Sequence, residues 1–178
     1  MSSNPSLMKR ILTILLLAFS ILPLKGQLIE ANIKSLPGLW TSEGTGYYYG
    51  GGGMELLFEQ PLNTGTVRAG LEFRTVNWGN QAMLNVGHTL PYSRGGRWYI
   101  RSISSMGLGL ALFRDNPLFV LSLEHMPEII RPTDKRIDFA FGIGIRYTYS
   151  PAYQNYGDIS QLFEFPIKVG LRYNLGFR

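Results

Sequence analysis

After about residue 26 the chain alternates apolar with polar or small residues at a period of two. In "RIDFAFGIGIRYTYS", Ile137, Phe139, Phe141, Ile143, Ile145, Tyr147 and Tyr149 fall on one face, with Arg136, Asp138, Ala140, Gly142, Gly144, Arg146 and Thr148 on the other. Such alternation places successive side chains on opposite faces of a strand. The closing stretch sets Phe163, Phe165, Ile167, Val169, Leu171, Tyr173, Leu175 and Phe177 against Glu164, Lys168, Gly170, Arg172, Asn174 and Gly176. "VRAGLEFRT" opposes Val67, Ala69, Leu71 and Phe73 to Arg68, Gly70, Glu72 and Arg74. "LIEANIKS" alternates Ile29, Ala31 and Ile33 with Glu30, Asn32 and Lys34, and Pro37 ends it early. "YYYGGGGMELLFEQ", "AMLNVGHTL", "RWYIRSISSMGLGLALF" and "LFVLSLEHM" complete a set of eight strands, and no apolar face of period 3.6 reaches helical length.

The segments between them carry turn chemistry: "PLNTG" (61–65), "NWGNQ" (77–81), "YSRGG" (92–96), "RDNP" (114–117), "RPTDK" (131–135) and the longer "SPAYQNYGDIS" (150–160). These connections are too short for the crossovers that parallel strands need, so the prediction is all-β: an eight-stranded antiparallel up-and-down barrel. Either face of such a barrel could point outward. A soluble lipocalin-like barrel would bury the apolar face around a ligand, whereas a membrane barrel gives it to lipid. The apolar faces run unbroken for seven or eight alternate positions and finish in aromatics such as Tyr147, Tyr149, Tyr173 and Phe177, as an interfacial girdle would. The opposite face mixes both signs of charge with glycines at 51, 53, 70, 107, 109, 142, 144 and 170, which leave room for bulky neighbours in a narrow lumen. The expected reading is a transmembrane barrel.

The first 26 residues differ. Lys9 and Arg10 precede the apolar run "ILTILLLAFSIL", and Pro23 and Gly26 follow it. This is the grammar of a secretory signal peptide, with cleavage expected near Gly26. The run is about a dozen residues where a spanning helix needs roughly 20. The expected organisation is a signal peptide over 1–26 and a barrel over 27–178. There is no cysteine, which excludes a disulfide framework. Lys9, Arg10 and Lys25 account for three of the 17 basic residues, leaving 14 against 12 acidic ones in the mature chain, which is no nucleic-acid footprint.

"KVGLRYNL" (168–175) resembles the C-terminal assembly signal of bacterial outer-membrane barrels, with Lys168, Gly170, Tyr173, Leu175 and Phe177 as its elements, although Arg178 follows the last aromatic. With the leader, the strand count and the short turns, the mature chain resembles the small OmpA/OmpX-like eight-stranded outer-membrane proteins. The resemblance implies outer-membrane lipid and lipopolysaccharide as surroundings, and the barrel-assembly machinery as a partner that reads the last strand. It also implies both termini in the periplasm, with the hairpins at Pro61, Tyr92 and Arg131 facing inward and the loops around Thr41, Asn77, Arg114 and Tyr153 outward.

An eight-stranded barrel is just wide enough for its side chains to fill. Glu55, Arg68, Glu72, Arg74, Arg101, Glu124, Asp138, Arg146, Glu164, Lys168 and Arg172 are expected to form a charge network across the lumen. That favours a non-enzymatic envelope protein, structural or interacting through its outer loops. Tyr153, Asn155, Tyr156 and Asp158 in the longest loop are the candidate contacts with an extracellular partner.

The alternative in the same architecture is a lipid A-modifying acyl hydrolase or transferase, which needs a hydroxyl beside a histidine oriented by a carboxylate. Only His88 and His125 are available, both expected on the lipid face, His125 near the periplasmic rim. The deacylase pattern places a serine two residues after the histidine, where this chain has Leu90 and Pro127. No catalytic, cofactor or metal residues are therefore assigned, since two isolated histidines make no ligand cluster. The glycine run at 50–53 lacks the Lys-Ser/Thr ending and following helix of a phosphate loop.

Overall fold

The computed structural model describes residues 27–42, 45–76, 79–95, 97–113, 116–133, 136–151 and 161–175. Twelve strand segments make eight staves. The first stave is β1 (Leu28–Ser35) continued by β2 (Gly38–Ser42), and the second is β3 (Thr45–Tyr49) with β4 (Gly51–Leu62). The next four are unbroken: β5 (Gly65–Val76), β6 (Gly79–Gly95), β7 (Trp98–Phe113) and β8 (Asn116–Arg131). The seventh is β9 (Ile137–Ile143) with β10 (Ile145–Tyr149), and the eighth β11 (Gln161–Glu164) with β12 (Ile167–Asn174).

Every pairing is antiparallel. The ladder runs from β1 through β4, β5, β6, β7, β8, β9 and β12 back to β1, so the sheet closes on itself. Closure leaves no edge along this ring and pairs its backbone groups, the condition for crossing hydrocarbon with strands.

Four staves break at one level, at Leu36–Pro37, Gly50, Gly144 and Phe165–Pro166. Proline has no N–H to give a ladder. The chain bridges the gap with single bonds: Leu36 N donates to Gly51 O at 2.9 Å, Phe165 N to Pro37 O at 2.8 Å, and Gly144 N to Pro166 O at 2.9 Å. Pro37 thus ends β1, as its chemistry predicts, and the stave resumes as β2.

Burial sets the direction of the faces. Ile33, Met54, Ile145 and Val169 are 70, 66, 62 and 59 % exposed, while Glu30, Glu72, Lys168 and Arg146 are buried. Apolar out and charge in is the inverse of a soluble barrel, so the protein is an eight-stranded transmembrane β-barrel. Glycine makes room inside: a Cβ on Gly170 would lie 1.9 Å from Asn32 Oδ1. Gly79 opens β6 with φ 155°, a conformation that side chains disfavour.

Two strands run further than the sequence pattern suggests. β6 continues to Gly95 through the expected turn at 92–96, with a register shift between Pro91 and Ser93. β8 passes Met126 and reaches Arg131; its partner changes from β10 to β9 around Pro127, where the break at Gly144 lies alongside. His125 therefore sits six residues from Arg131 and nine from Asn116. This corrects the expectation of a position near the rim, which rested on a strand ending just beyond the histidine. The expected leader, the loop residues Tyr153, Asn155, Tyr156 and Asp158, and Phe177 all lie outside the described residues.

Candidate functional site: the charged lumen and the outer wall

Alternation on eight staves aims every second side chain inward, where buried carboxylates and cations meet. Eight buried acids (Glu30, Glu55, Glu59, Glu72, Glu124, Glu128, Asp138, Glu164) face seven buried cations (Lys34, Arg68, Arg74, Arg101, Arg146, Lys168, Arg172). All eleven residues expected in the network are among them.

They form tiers along the barrel. Nearest the end bearing Leu28 and Asn174, Glu30 receives Lys168 Nζ at 2.7 Å and Arg101 at 2.7 Å, and lies 3.2 Å from Arg172. Glu59 receives Arg101 at 2.9 Å and Arg172 at 2.7 Å. Glu128 pairs with both Arg101 and Lys168, and Asp138 stands 4.0 Å from Arg172, whose guanidinium also meets the Tyr99 hydroxyl.

In the middle, Arg146 donates to Glu72 at 2.7 and 3.0 Å and to Glu124. Lys34 lies 3.2, 3.6 and 3.3 Å from Glu55, Glu72 and Glu124. The Asn85 amide donates to Glu55 at 2.9 Å and Glu72 at 2.7 Å.

Towards the other end Arg74 pairs with Glu164 at 2.8 Å, and Thr148 donates to the same carboxylate at 2.7 Å. Two residues join the lower tiers. The Asn32 amide donates to both Glu30 and Glu55 at 2.9 Å, and Arg68 lies 3.6 Å from each.

Sequence reasoning did not include Glu30, Lys34, Glu59 and Glu128 in the network. Glu30 and Lys34 sit on the polar face of the first strand, and the alternation already carried that signal. Glu128 was hidden by Pro127, which reads as a strand end. Apolar inward residues such as Leu57, Met83, Ile103 and Met126 fill space between the tiers and leave no charge pattern to follow.

Among the described residues the outer wall is mostly apolar along its middle, and polar side chains gather at one place. β6, β7 and β8 put His88, Ser104 and His125 in a single cross-strand row, His88 opposite Ser104 and Ser104 opposite His125. Ser104 Oγ is 2.9 Å from His125 Nδ1. No spacing along the chain hints at this contact, because the serine comes across the sheet and not two residues along the strand. Glu124 and Glu164, the nearest carboxylates in sequence and register, are buried on the lumen side. Among the described residues no carboxylate bonds His125, so none stands as the orienting acid of a hydrolytic triad. Among the described residues no group of three or more His, Cys, Asp or Glu could hold a metal ion.

The fold is that of the small outer-membrane barrels. Neisserial surface protein A (NspA) is similar in structure, with a TM-score of 0.56 over 84 % of this chain and 97 % of that one, at 9 % sequence identity. The translocator domain of the autotransporter NalP from Neisseria meningitidis aligns with 96 % of this chain and 95 % of its own, at a TM-score of 0.31 and 11 % identity. Neither a protein-family model nor a curated protein sequence matches the chain.

Proposed function

We propose that the protein is a non-enzymatic outer-membrane barrel with a lumen closed by its own side chains, acting structurally or through its outer loops. The observation that carries this is the lumen itself, in which fifteen buried charges are matched almost one to one and bonded across the bore. Opening a water path would separate these pairs in a low-dielectric interior, at a cost of several kcal/mol for each uncompensated charge.

In this reading residues 1–26 are a leader removed near Gly26, and the surroundings are outer-membrane lipid and lipopolysaccharide. The barrel-assembly machinery engages the last strand through Lys168, Gly170, Tyr173, Leu175 and Phe177. Tyr153, Asn155, Tyr156 and Asp158 offer a polar, aromatic loop surface to an extracellular partner; nucleic acid has no part.

Two measurements test the proposal together. Unboiled protein from outer membranes should migrate faster than boiled protein in mild SDS, and the same folded protein should show no stepwise conductance in planar bilayers. Steady channel openings would overturn the closed lumen. Recovery from the soluble periplasmic fraction would overturn the location.

The Ser104–His125 contact favours a second reading, an acyl hydrolase acting on membrane lipid. It predicts a change in lipid A acyl mass on expression that Ser104→Ala abolishes.

A further inference from the structure

Ser102, which faces outward on β7, is only 5 % exposed, and among the described residues the outward-facing polar side chains Gln60 and Asn80 lie within two residues of a strand terminus. The row His88–Ser104–His125 does not. His125 and Ser104 are each six residues from the hairpin ends at Arg131 and Trp98. At about 3.3 Å per residue and ~40° of tilt, six residues rise roughly 15 Å, close to the middle of a hydrophobic band about 25 Å tall. Lipid offers only hydrocarbon at that depth, and water does not reach it. Ser104 and His125 satisfy one another in part, yet the second nitrogen of His125 and the ring of His88 make no hydrogen bond to a described residue.

The row also lies in a hollow. Ser104 is small among Met106, Leu123, Tyr147 and Phe163, and together with His88 and His125 they border a largely apolar recess of about 840 Å³ in the outer wall. Between transmembrane helices, small residues flanked by hydrogen-bonding side chains form association surfaces, and this row offers the same chemistry on strands.

We infer that this face binds a second copy of the chain, the two barrels meeting about a twofold axis along the membrane normal that passes near Ser104. The occupant follows from depth and chemistry. Copies inserted by one route share one orientation, so a second copy necessarily presents polar groups at the same level, which an acyl chain cannot do. A serine hydroxyl both donates and accepts, so Ser104 near the axis is complementary to its own copy. An isologous contact of this kind sets His88 of each barrel towards His125 of the other, with Ser104 central.

The inference rests on the transmembrane reading and is tested in isolated outer membranes. Because the chain contains no cysteine, single cysteines report proximity cleanly. Met106→Cys borders the row without disturbing it, and Ile33→Cys lies on β1, the stave opposite β7. With a short bismaleimide, Met106→Cys should give roughly fivefold more cross-linked dimer than Ile33→Cys. Adding His88→Leu and His125→Leu to Met106→Cys should lower that yield about threefold, given the modest worth of polar contacts in membranes. Heat-modifiable migration of each variant shows that the barrel is folded and inserted, so a failure of the membrane reading is seen separately. Equal cross-linking at the two positions, or none at Met106→Cys, would overturn the dimer and leave a lipid-filled hollow. Unchanged cross-linking after both histidines are replaced would overturn the role of the polar row.

Discussion

Replacing Glu30 by Gln tests whether the lumen is held by local pairing or only by its overall charge balance. Counted as a whole, the lumen has one more acid than base, so losing one carboxylate would bring it to neutrality. Locally the change is severe. Glu30 lies within 2.7 Å of Lys168 and Arg101, 3.2 Å of Arg172 and 3.6 Å of Arg68, and also accepts from the Asn32 amide at 2.9 Å. A glutamine keeps one acceptor and turns an NH₂ towards a guanidinium or ammonium that can only donate. Breaking a buried network from one side costs about 3–5 kcal/mol. At about 1.4 kcal/mol per factor of ten, the folding constant falls by two to nearly four orders of magnitude. Urea titration of the barrel in detergent micelles, followed by tryptophan fluorescence and by the unboiled band, should move the midpoint down by at least about 1 M for a slope of 1–3 kcal/mol/M. Adding Lys168→Met should recover part of the loss, because it removes a cation that the glutamine leaves uncompensated. A midpoint within about 0.3 M of the parent, or a double variant as weak as the sum of its parts, would refute pairing as the source of stability.

Other outcomes follow from the two faces. Gly170→Val should destabilise by about 1–3 kcal/mol in the same titration, since its side chain would occupy the place of Asn32 Oδ1 and break the bridge between Glu30 and Glu55. Met54→Arg, on a side chain 66 % exposed, should cost about 2–4 kcal/mol in lipid, where a water-facing position would lose under about 0.5 kcal/mol. Trp98→Ala should cost about 1 kcal/mol through loss of the Arg131 guanidinium 5.4 Å above the ring.

Much of the architecture is legible because lipid on one side and packed charge on the other impose the same period on every stave. The alternations at 137–149 and 163–175 show both faces directly, and the structure places Asp138, Arg146, Glu164, Lys168 and Arg172 inside accordingly. What the pattern missed has two physical causes. Proline at 127 reads as a strand end, whereas a closed sheet tolerates it where the neighbouring stave is itself broken, and this hides both Glu128 and the depth of His125. Contacts across the sheet have no fixed spacing in sequence, so neither the Ser104–His125 pair nor the Lys34 ammonium among three glutamates could be read from one strand.

The ion pairs also do something that the ladder cannot. Backbone hydrogen bonds tie each stave to its two neighbours and leave the cross-section free to flatten. Arg101 on β7 reaches Glu30 on β1, and Arg146 on β10 reaches Glu72 on β5, each pair spanning opposite staves. Lys34 on β1 and Glu124 on β8 cross almost as far. Flattening the barrel would stretch some of these contacts and crowd others, and in a medium of low dielectric either change is costly. The network therefore stiffens the bore as spokes stiffen a wheel. A wall held round in this way keeps β6, β7 and β8 at fixed curvature. That is the condition for the row across them to present one surface, with Ser104 between the two histidines, to a partner that meets it only within the membrane.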